Sequence, residues 1–337
     1  MVRIRPPAKI VFHMKVAVLG LGFMGSVHAR ALGSRLGAVY SKDARKLTGD
    51  LSAVKGNLDG AGGTLDFSGV TPYDSIDALL ADSAIDAVDV CLPTDLHETV
   101  AIHAVRAGKH VLVEKPMALD GASAERMIAE AERCGRTIMC AQVLRFLPEY
   151  TALRSALAGL GDVRSAFFHR RCGVPTWGGW LLDPARSGGG IFDLLIHDVD
   201  FCLSLFGRPE WISATGSGDT IHAQLYFHDD FVAVIDGGWE VASSYPFRME
   251  YRVSCDGGTV EYSSRGAAPT LYAAEERTLP LQTIAGYQAE IDYFVNCCEK
   301  GEPPRLCRPQ DSAEAVELMR ELLKARERQG ERIPCNL

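Results

Sequence analysis

Short apolar runs recur along the first 141 residues, and between them apolar positions return every three or four residues. Residues 15–20 (Lys-Val-Ala-Val-Leu-Gly) read as a short strand, 38–40 as a second, and 111–113 and 137–141 as two more. Ile85 to Leu92 is almost continuously apolar, which predicts a strand covered on both faces. The helical periodicity falls over Met24–Leu36, 44–56, Ser75–Leu80, Leu96–Ala107 and Ala122–Cys134. Ser75 is a plausible cap, and Gly108 stops the helix before it. Residues 57–69 are polar and glycine-rich and predict a loop. Strands alternating with helices in this way predict crossover units on a parallel sheet.

The rhythm then changes. Trp211–Thr215, Ile221–Phe227, Val232–Gly237, Phe247–Cys255 and Thr259–Tyr262 are strand-like and joined by short turns, with Asp229–Asp230 and Asp256–Gly257–Gly258 as hairpin turns. Helices are expected over Tyr150–Ala158, Gly190–Phe206, Tyr287–Glu299 and Asp311–Arg328. The fold class is therefore α/β over residues 14–141 and α+β, with a large and mostly antiparallel open sheet, over 142–330. An apolar open face on that sheet would favour association of subunits. No internal repeat is visible.

Composition narrows the function. The net charge is −8 and basic residues are dispersed, so no patch suited to a nucleic-acid backbone stands out. The ten cysteines form no CxxC and read as reduced, mostly buried thiols rather than a metal site. No secretory apolar segment and no bilayer-length apolar run are present, so the cytoplasm is the expected location and no membrane partner is expected. The first thirteen residues, with Arg3, Arg5 and Lys9 around Pro6 and Pro7, read as a short flexible arm.

Gly20-Leu21-Gly22-Phe23-Met24-Gly25 lies between the first strand and first helix. Gly20 permits the tight turn, Gly22 lets a pyrophosphate approach the backbone, and Gly25 lets the helix pack on the strand. The helix N-terminus then faces the anion. A bare GxGxxG is a weak signal; its place after an apolar strand is what makes dinucleotide binding the expectation. The second strand ends Ala38-Val39-Tyr40-Ser41-Lys42-Asp43. By register Ser41 faces the adenine ribose, with Lys42 and Arg45 beside it, which suits the 2′-phosphate of NADP. A shift of two places would put Asp43 there and restore NAD, so both cofactors stay open with NADP favoured.

Leu92, Pro93 and Thr94 follow the buried strand, with His97 one turn later, and should lie beside a cofactor at the carboxyl edge of the sheet. The next strand ends Val113-Glu114-Lys115-Pro116. In isolation that is a charged turn; in register with the glycine turn it aims Lys115 into the crevice. Further on, Gly188-Gly189-Gly190 leads into a helix in which Asp193 and His197 are four apart and share a face, with Asp200 three further. The bland alternative is a core histidine satisfied by a carboxylate. A divalent metal on Asp193, His197 and Asp200 is the less favoured alternative, and no metal is assigned.

These residues, with His28, Asp95-Leu96-His97, the Gly108–Pro116 strand, and Arg145-Phe146-Leu147-Pro148, resemble the glucose–fructose oxidoreductase / inositol dehydrogenase / rhizopine-catabolism (Gfo/Idh/MocA) family from about residue 14 to 330. The resemblance implies a Rossmann domain, a second domain with an open sheet, and homodimers or homotetramers formed through that sheet. It implies NAD(P)-dependent hydride transfer at a secondary hydroxyl or carbonyl of a sugar, inositol or related polyol. It makes Lys115 the lysine that contacts nicotinamide and the reacting oxygen, Asp193 the carboxylate that holds substrate and histidine, and His197 the catalytic acid/base. Neutral His197 would take the hydroxyl proton while cationic Lys115 stabilises charge on the oxygen; the reverse assignment stays open.

Ser41 departs from the acidic residue of NAD-preferring members, and the stretch from Asn57 to Ser68 is longer than the usual connection. For substrate, Arg145 is expected to face the crevice and Trp180 to wall it, with Trp177 and Asp183 nearby and Tyr245 and Tyr287 as weaker candidates. Two other functions remain: a redox-neutral glycosidase or epimerase that oxidises transiently, and a non-enzymatic dinucleotide-binding regulator.

Overall fold

Two sheets carry the molecule, seen in a computed structural model that describes residues 14–57, 62–228, 231–266 and 268–337. The expected N-terminal arm and the Asp229–Asp230 turn lie outside the described residues. The first sheet contains β1 (Val16–Leu19), β2 (Leu36–Tyr40), β3 (Thr71–Tyr73), β4 (Ala87–Val90), β5 (His110–Glu114) and β6 (Ile138–Ala141). Their order is β3-β2-β1-β4-β5-β6 and every pair is parallel. This is the Rossmann order, in which ligands bind beyond the strands' carboxyl ends where the order reverses, between β1 and β4. All four residues of β1 and of β4 are buried, as expected of strands sandwiched between helices.

Two local expectations change, and one strand appears where none was expected. The first helix stops at Leu32, and Leu36 already belongs to β2. The helix expected over 44–56 is only Ala44–Leu47. Gly49 turns the chain there at φ 87°, where a Cβ would sit 2.1 Å from the Leu65 carbonyl oxygen, and Asp50 then pairs with Thr64. The polar segment around Pro72 forms β3, an edge strand, where proline is tolerated. Ser75 does cap its helix, accepting from the Ala78 N–H.

The second sheet contains β7 (Val163–Gly173), β8 (Trp211–Thr215), β9 (Thr220–Tyr226), β10 (Val232–Glu240), β11 (Arg248–Cys255), β12 (Gly258–Ser263), β13 (Thr270–Tyr272), β14 (Glu276–Thr278) and β15 (Ile333–Pro334). The order is β14-β13-β12-β11-β7-β10-β9-β8-β15, and only β7 and β10 run parallel. The central strand β7 escapes the sequence pattern because it buries an arginine. Arg170 points inward with Ala166 and Phe168, its charge met by Asp198. The opposite face is mixed rather than apolar: Phe167 stacks on His169, and His169, Arg171 and Asp236 form an ion-pair network.

The helix Gly189–Phe206 lies on the inward face of this sheet, and close approach sets its position. A Cβ on Gly190 would meet the Trp239 ring at 2.6 Å, and one on Gly237 would meet the Arg170 carbonyl oxygen at 1.9 Å. Asp219 accepts from the Gly190 N–H at 2.8 Å. The start of this helix is thereby pinned to the sheet, and Asp193 and His197 are carried towards the first domain. Among the described residues no helix is long and apolar enough to cross a membrane.

Candidate active site

A cavity of about 910 Å³ is lined from one side by the carboxyl ends of the first sheet's strands and from the other by the second domain. Gly20, Leu21, Gly22, Phe23 and Met24 form its floor near β1. Gly20 has φ 103°, a conformation open to glycine, and a Cβ there would meet the Cys91 carbonyl oxygen at 2.6 Å. A Cβ on Gly25 would lie 1.8 Å from the Gly20 carbonyl oxygen, so the helix can close on the strand only without one. Gly22 instead faces open space, with no atom within 4 Å of an added Cβ. It precedes the helix Phe23–Leu32 without a side-chain cap, which leaves the first N–H groups free for an anion. These features fit a dinucleotide pyrophosphate.

At the adenosine side, Tyr40, Ser41, Lys42 and Lys46 line the cavity, whereas Asn57 reaches Cys172 of the second domain. Asp43 is not on the wall. Its carboxylate caps the next helix through the Arg45 N–H and pairs with the Arg45 guanidinium at 3.0 Å. Arg45 therefore faces Asp43 at the exposed surface and is not on the cavity wall, contrary to expectation. Lys46, one residue on, takes the place expected of it.

Lys115 and Asp193 meet across the cleft. The Lys115 ammonium donates to Asp193 Oδ1 at 2.9 Å and to the Asp193 carbonyl at 2.7 Å. His197 lines the same cavity, with Nδ1 sealed from solvent and without a hydrogen-bond partner. Burial, and then the charges of Lys115 and Arg170, hold its pKa well below 6.5. The imidazole is therefore neutral at neutral pH. Asp193 does not take the His197 Nδ1–H, as had been expected; its Oδ1 is held by Lys115 instead, and Nδ1 has no partner.

Behind Lys115 sits a buried charge clamp. His28 lies between Asp89 (2.8 Å) and Glu114 (3.2 Å), and Glu114 Oε2 accepts from the Lys115 backbone N–H at 3.0 Å. Burial alone would depress His28, but Asp89 and then Cys91 outweigh it and raise its pKa well above 6.5. His28, Asp89 and Cys91 form the one His/Cys/carboxylate trio among the described residues with ligand atoms within 4.8 Å of one another.

Known proteins share this architecture. The oxidoreductase family with an NAD-binding Rossmann fold matches residues 14–142, and the Gfo/Idh/MocA C-terminal domain matches residues 150–261. The chain belongs to the Gfo/Idh/MocA family. D-xylose 1-dehydrogenase (NADP+) 2 of Haloferax volcanii is 31% identical over 267 residues, 74% of this chain and 80% of the relative. Trans-1,2-dihydrobenzene-1,2-diol dehydrogenase of Bos taurus is 36% identical over 254 residues, 68% of this chain and 73% of the relative. The crystal structure of an aldose–aldose oxidoreductase from Caulobacter crescentus superposes with a TM-score of 0.79 at 25% identity, covering 96% of this chain and 99% of that one.

Within this Gfo/Idh/MocA framework several expected site residues lie elsewhere. Leu92, Pro93, Glu114 and Trp180 line the cavity, but Thr94 and His97 are buried behind it. His97 Nδ1 faces the Pro116 carbonyl at 3.0 Å and Nε2 the Leu92 carbonyl at 2.8 Å. It ties together the two loops that carry Leu92 and Lys115, and burial keeps its pKa down despite both carbonyls. Arg145 does not face the crevice. It donates twice to Asp200, at 2.7 and 2.8 Å, and once to Asp311 at 2.9 Å. That same pairing takes Asp200 away from Asp193 and His197, so no metal trio assembles there. Of the weaker candidates, Trp177 and Tyr287 line the cavity, whereas Tyr245 and Asp183 do not.

Sequence reading missed Lys46, Arg170, Leu194, Trp239, Phe247 and Met249 on the wall. Trp239, Phe247 and Met249 become neighbours only because β10 and β11 flank β7.

Arg145 therefore serves stability, with its side chain 3% exposed between two carboxylates. Arg145→Leu leaves Asp200 buried and unpaired and should cost about 3–5 kcal/mol of unfolding free energy. Cofactor affinity of the folded variant should change less than threefold. Urea denaturation and cofactor titration check both; intact stability with lost substrate affinity would restore the substrate role.

Proposed function

We propose that this Gfo/Idh/MocA oxidoreductase transfers a hydride between a nicotinamide dinucleotide and a secondary hydroxyl or carbonyl of a sugar, inositol or related cyclic alcohol. One observation carries the reading: an ammonium and a neutral imidazole, supplied by different domains, face one cavity that also contains the glycine turn. Gly20 to Met24 would hold the pyrophosphate, and Pro93 and Lys115 would border the nicotinamide, which supplies the hydride acceptor or donor when bound.

The chain's own groups handle the proton. With Nδ1 sealed, His197 has Nε2 left to accept the hydroxyl proton, and its depressed pKa keeps it ready to do so at neutral pH. The Lys115 ammonium stabilises negative charge developing on the same oxygen. Asp193 holds that ammonium in place and offers its carboxylate to a neighbouring hydroxyl. The Haloferax relative's name supports a sugar, and the bovine relative's a cyclic diol. Self-association as a homodimer or homotetramer through the outer face of the second sheet belongs to the same reading.

Lys115→Met should keep the fold and cofactor affinity and lower kcat at least about 100-fold, the usual loss when one group stabilising an oxyanion is removed. Steady-state rates at the reduced-nicotinamide absorbance band measure this, and near-wild-type kcat would refute the assignment. For cofactor choice, Ser41, Lys42 and Lys46 at the adenosine side support NADP. The expected kcat/KM is higher with NADP than with NAD. Lys42→Ala combined with Lys46→Ala should shrink that ratio, and a wild-type preference for NAD would contradict it.

A further inference from the structure

We infer that a second site, outside the cleft between the domains, binds a phosphate dianion, free or as the monoester of a small polar metabolite. It is a cavity of about 540 Å³ among the helices of the second domain. Its walls come chiefly from the helix Pro148–Leu157, the end of the helix Gly189–Phe206, the turn Arg305–Cys307 and the start of the helix Pro309–Glu327. These pieces bring Arg145, Arg154, Arg208, Arg305 and Arg308 to one space. Five guanidinium groups there face two carboxylates, Asp311 and Glu314, in a chain whose net charge is −8. The inference does not depend on the hydride-transfer reading.

Three of the five arginines are paired. Arg145 is held by Asp200 and Asp311, and Arg308 meets Asp311 at 2.5 Å. Arg208 donates to Glu314 at 2.6 and 3.1 Å and to the Leu337 carbonyl at 3.2 Å. Arg154 and Arg305 are not. Arg305 is exposed, and its side chain makes no hydrogen bond or ion pair among the described residues. Arg154 gives Nη2 to the Ser204 hydroxyl at 2.8 Å and lies over the Phe201 ring at 5.5 Å, both neutral groups. Its Nε is sealed from solvent without a partner. Burial, and then the charge of Arg145, hold its pKa below the ordinary guanidinium value. The carboxyl end of the helix Gly189–Phe206 also favours a cation here, but its partial charge is only about half an elementary charge.

Two unpaired cations in one cavity call for two negative charges on one small group. A phosphate monoester carries nearly that at neutral pH, and its oxygens match the forked N–H groups of arginine. A monocarboxylate offers half the charge. The cavity is larger than one phosphate group needs, and Leu203 and Leu306 are its apolar side chains among many polar ones, so the rest of a ligand should be polar.

The test is calorimetric titration of the full-length protein, without cofactor or substrate, at low salt and neutral pH. The probes are glucose 6-phosphate, inorganic phosphate and citrate. Because a phosphate can also enter the glycine turn, each is titrated into wild type, Arg154→Gln, Arg305→Gln and the combined Lys42→Ala, Lys46→Ala variant. The phosphate probes should bind the wild type, and each arginine variant should weaken that binding at least about tenfold, the loss of one charge-assisted hydrogen bond. The lysine variant should bind as the wild type does. Arg305 has no pairing to lose, so Arg305→Gln tests the site even if Arg154→Gln, deprived of its contacts with Ser204 and Phe201, does not fold. Tighter glucose 6-phosphate makes the ligand a monoester, and equal or weaker affinity makes it free phosphate; either supports the site. Absence of binding, or binding lost only in the lysine variant, overturns it. Citrate binding tighter than both phosphate probes overturns the phosphate class.

Discussion

Everything at the site hangs on the contact between the Lys115 ammonium and Asp193. Lys115 leaves the end of β5 in the first domain, and Asp193 sits in the first turns of a helix from the second. The ammonium takes both the carboxylate and the backbone carbonyl of one residue, so it fixes the helix start as well as the side chain. That geometry places a positive charge next to His197 and helps to keep the imidazole neutral. An ion pair half-shielded from water is worth more than one on the surface, where such pairs contribute little. It is also the contact a substrate oxygen would have to share.

Other charged groups hold this contact in register. Arg170 and Asp198 join β7 to the helix that carries His197, while Arg145, Asp200 and Asp311 tie that helix to the segment opening the second domain and to the C-terminal helix Pro309–Glu327. His28 between Asp89 and Glu114 performs the same service under Lys115. Each is a buried pair whose desolvation is costly and whose half-removal is costlier still. Their effect is positional: buried ion pairs behind the cavity keep Lys115, Asp193 and His197 on its wall. Glu290 adds a contrast, since burial raises its pKa well above the ordinary range and both its oxygens lack partners, as suits a neutral carboxyl group.

Much of this was legible in the sequence where local rules govern. The glycine turn, the alternation of strand and helix, the Glu114-Lys115-Pro116 strand end and the Gly188–His197 run each carry their own short-range signal. The failures share one cause. Strand β7 was hidden because Arg164, Arg170 and Arg171 make it look polar, and only a tertiary partner, Asp198, explains a buried arginine. Arg145 looked like a crevice residue because it opens the second domain, yet Asp200 and Asp311, 55 and 166 positions away, claim it. Spacing placed Asp193 and His197 on one helix face but could not say that Lys115 would take the carboxylate. The tryptophan, phenylalanine and methionine wall comes from strands distant in sequence, so no window of residues contains it.

The central claim is electrostatic and can be read directly. In protein labelled at histidine with 15N and 13C, the His197 imidazole should protonate only well below pH 6.5, and replacing Lys115 with methionine should move that titration upward while burial keeps it below 6.5. A His197 that titrates near 6.5 in the wild type, and does not move in the variant, would show that the lysine and the imidazole do not share a site.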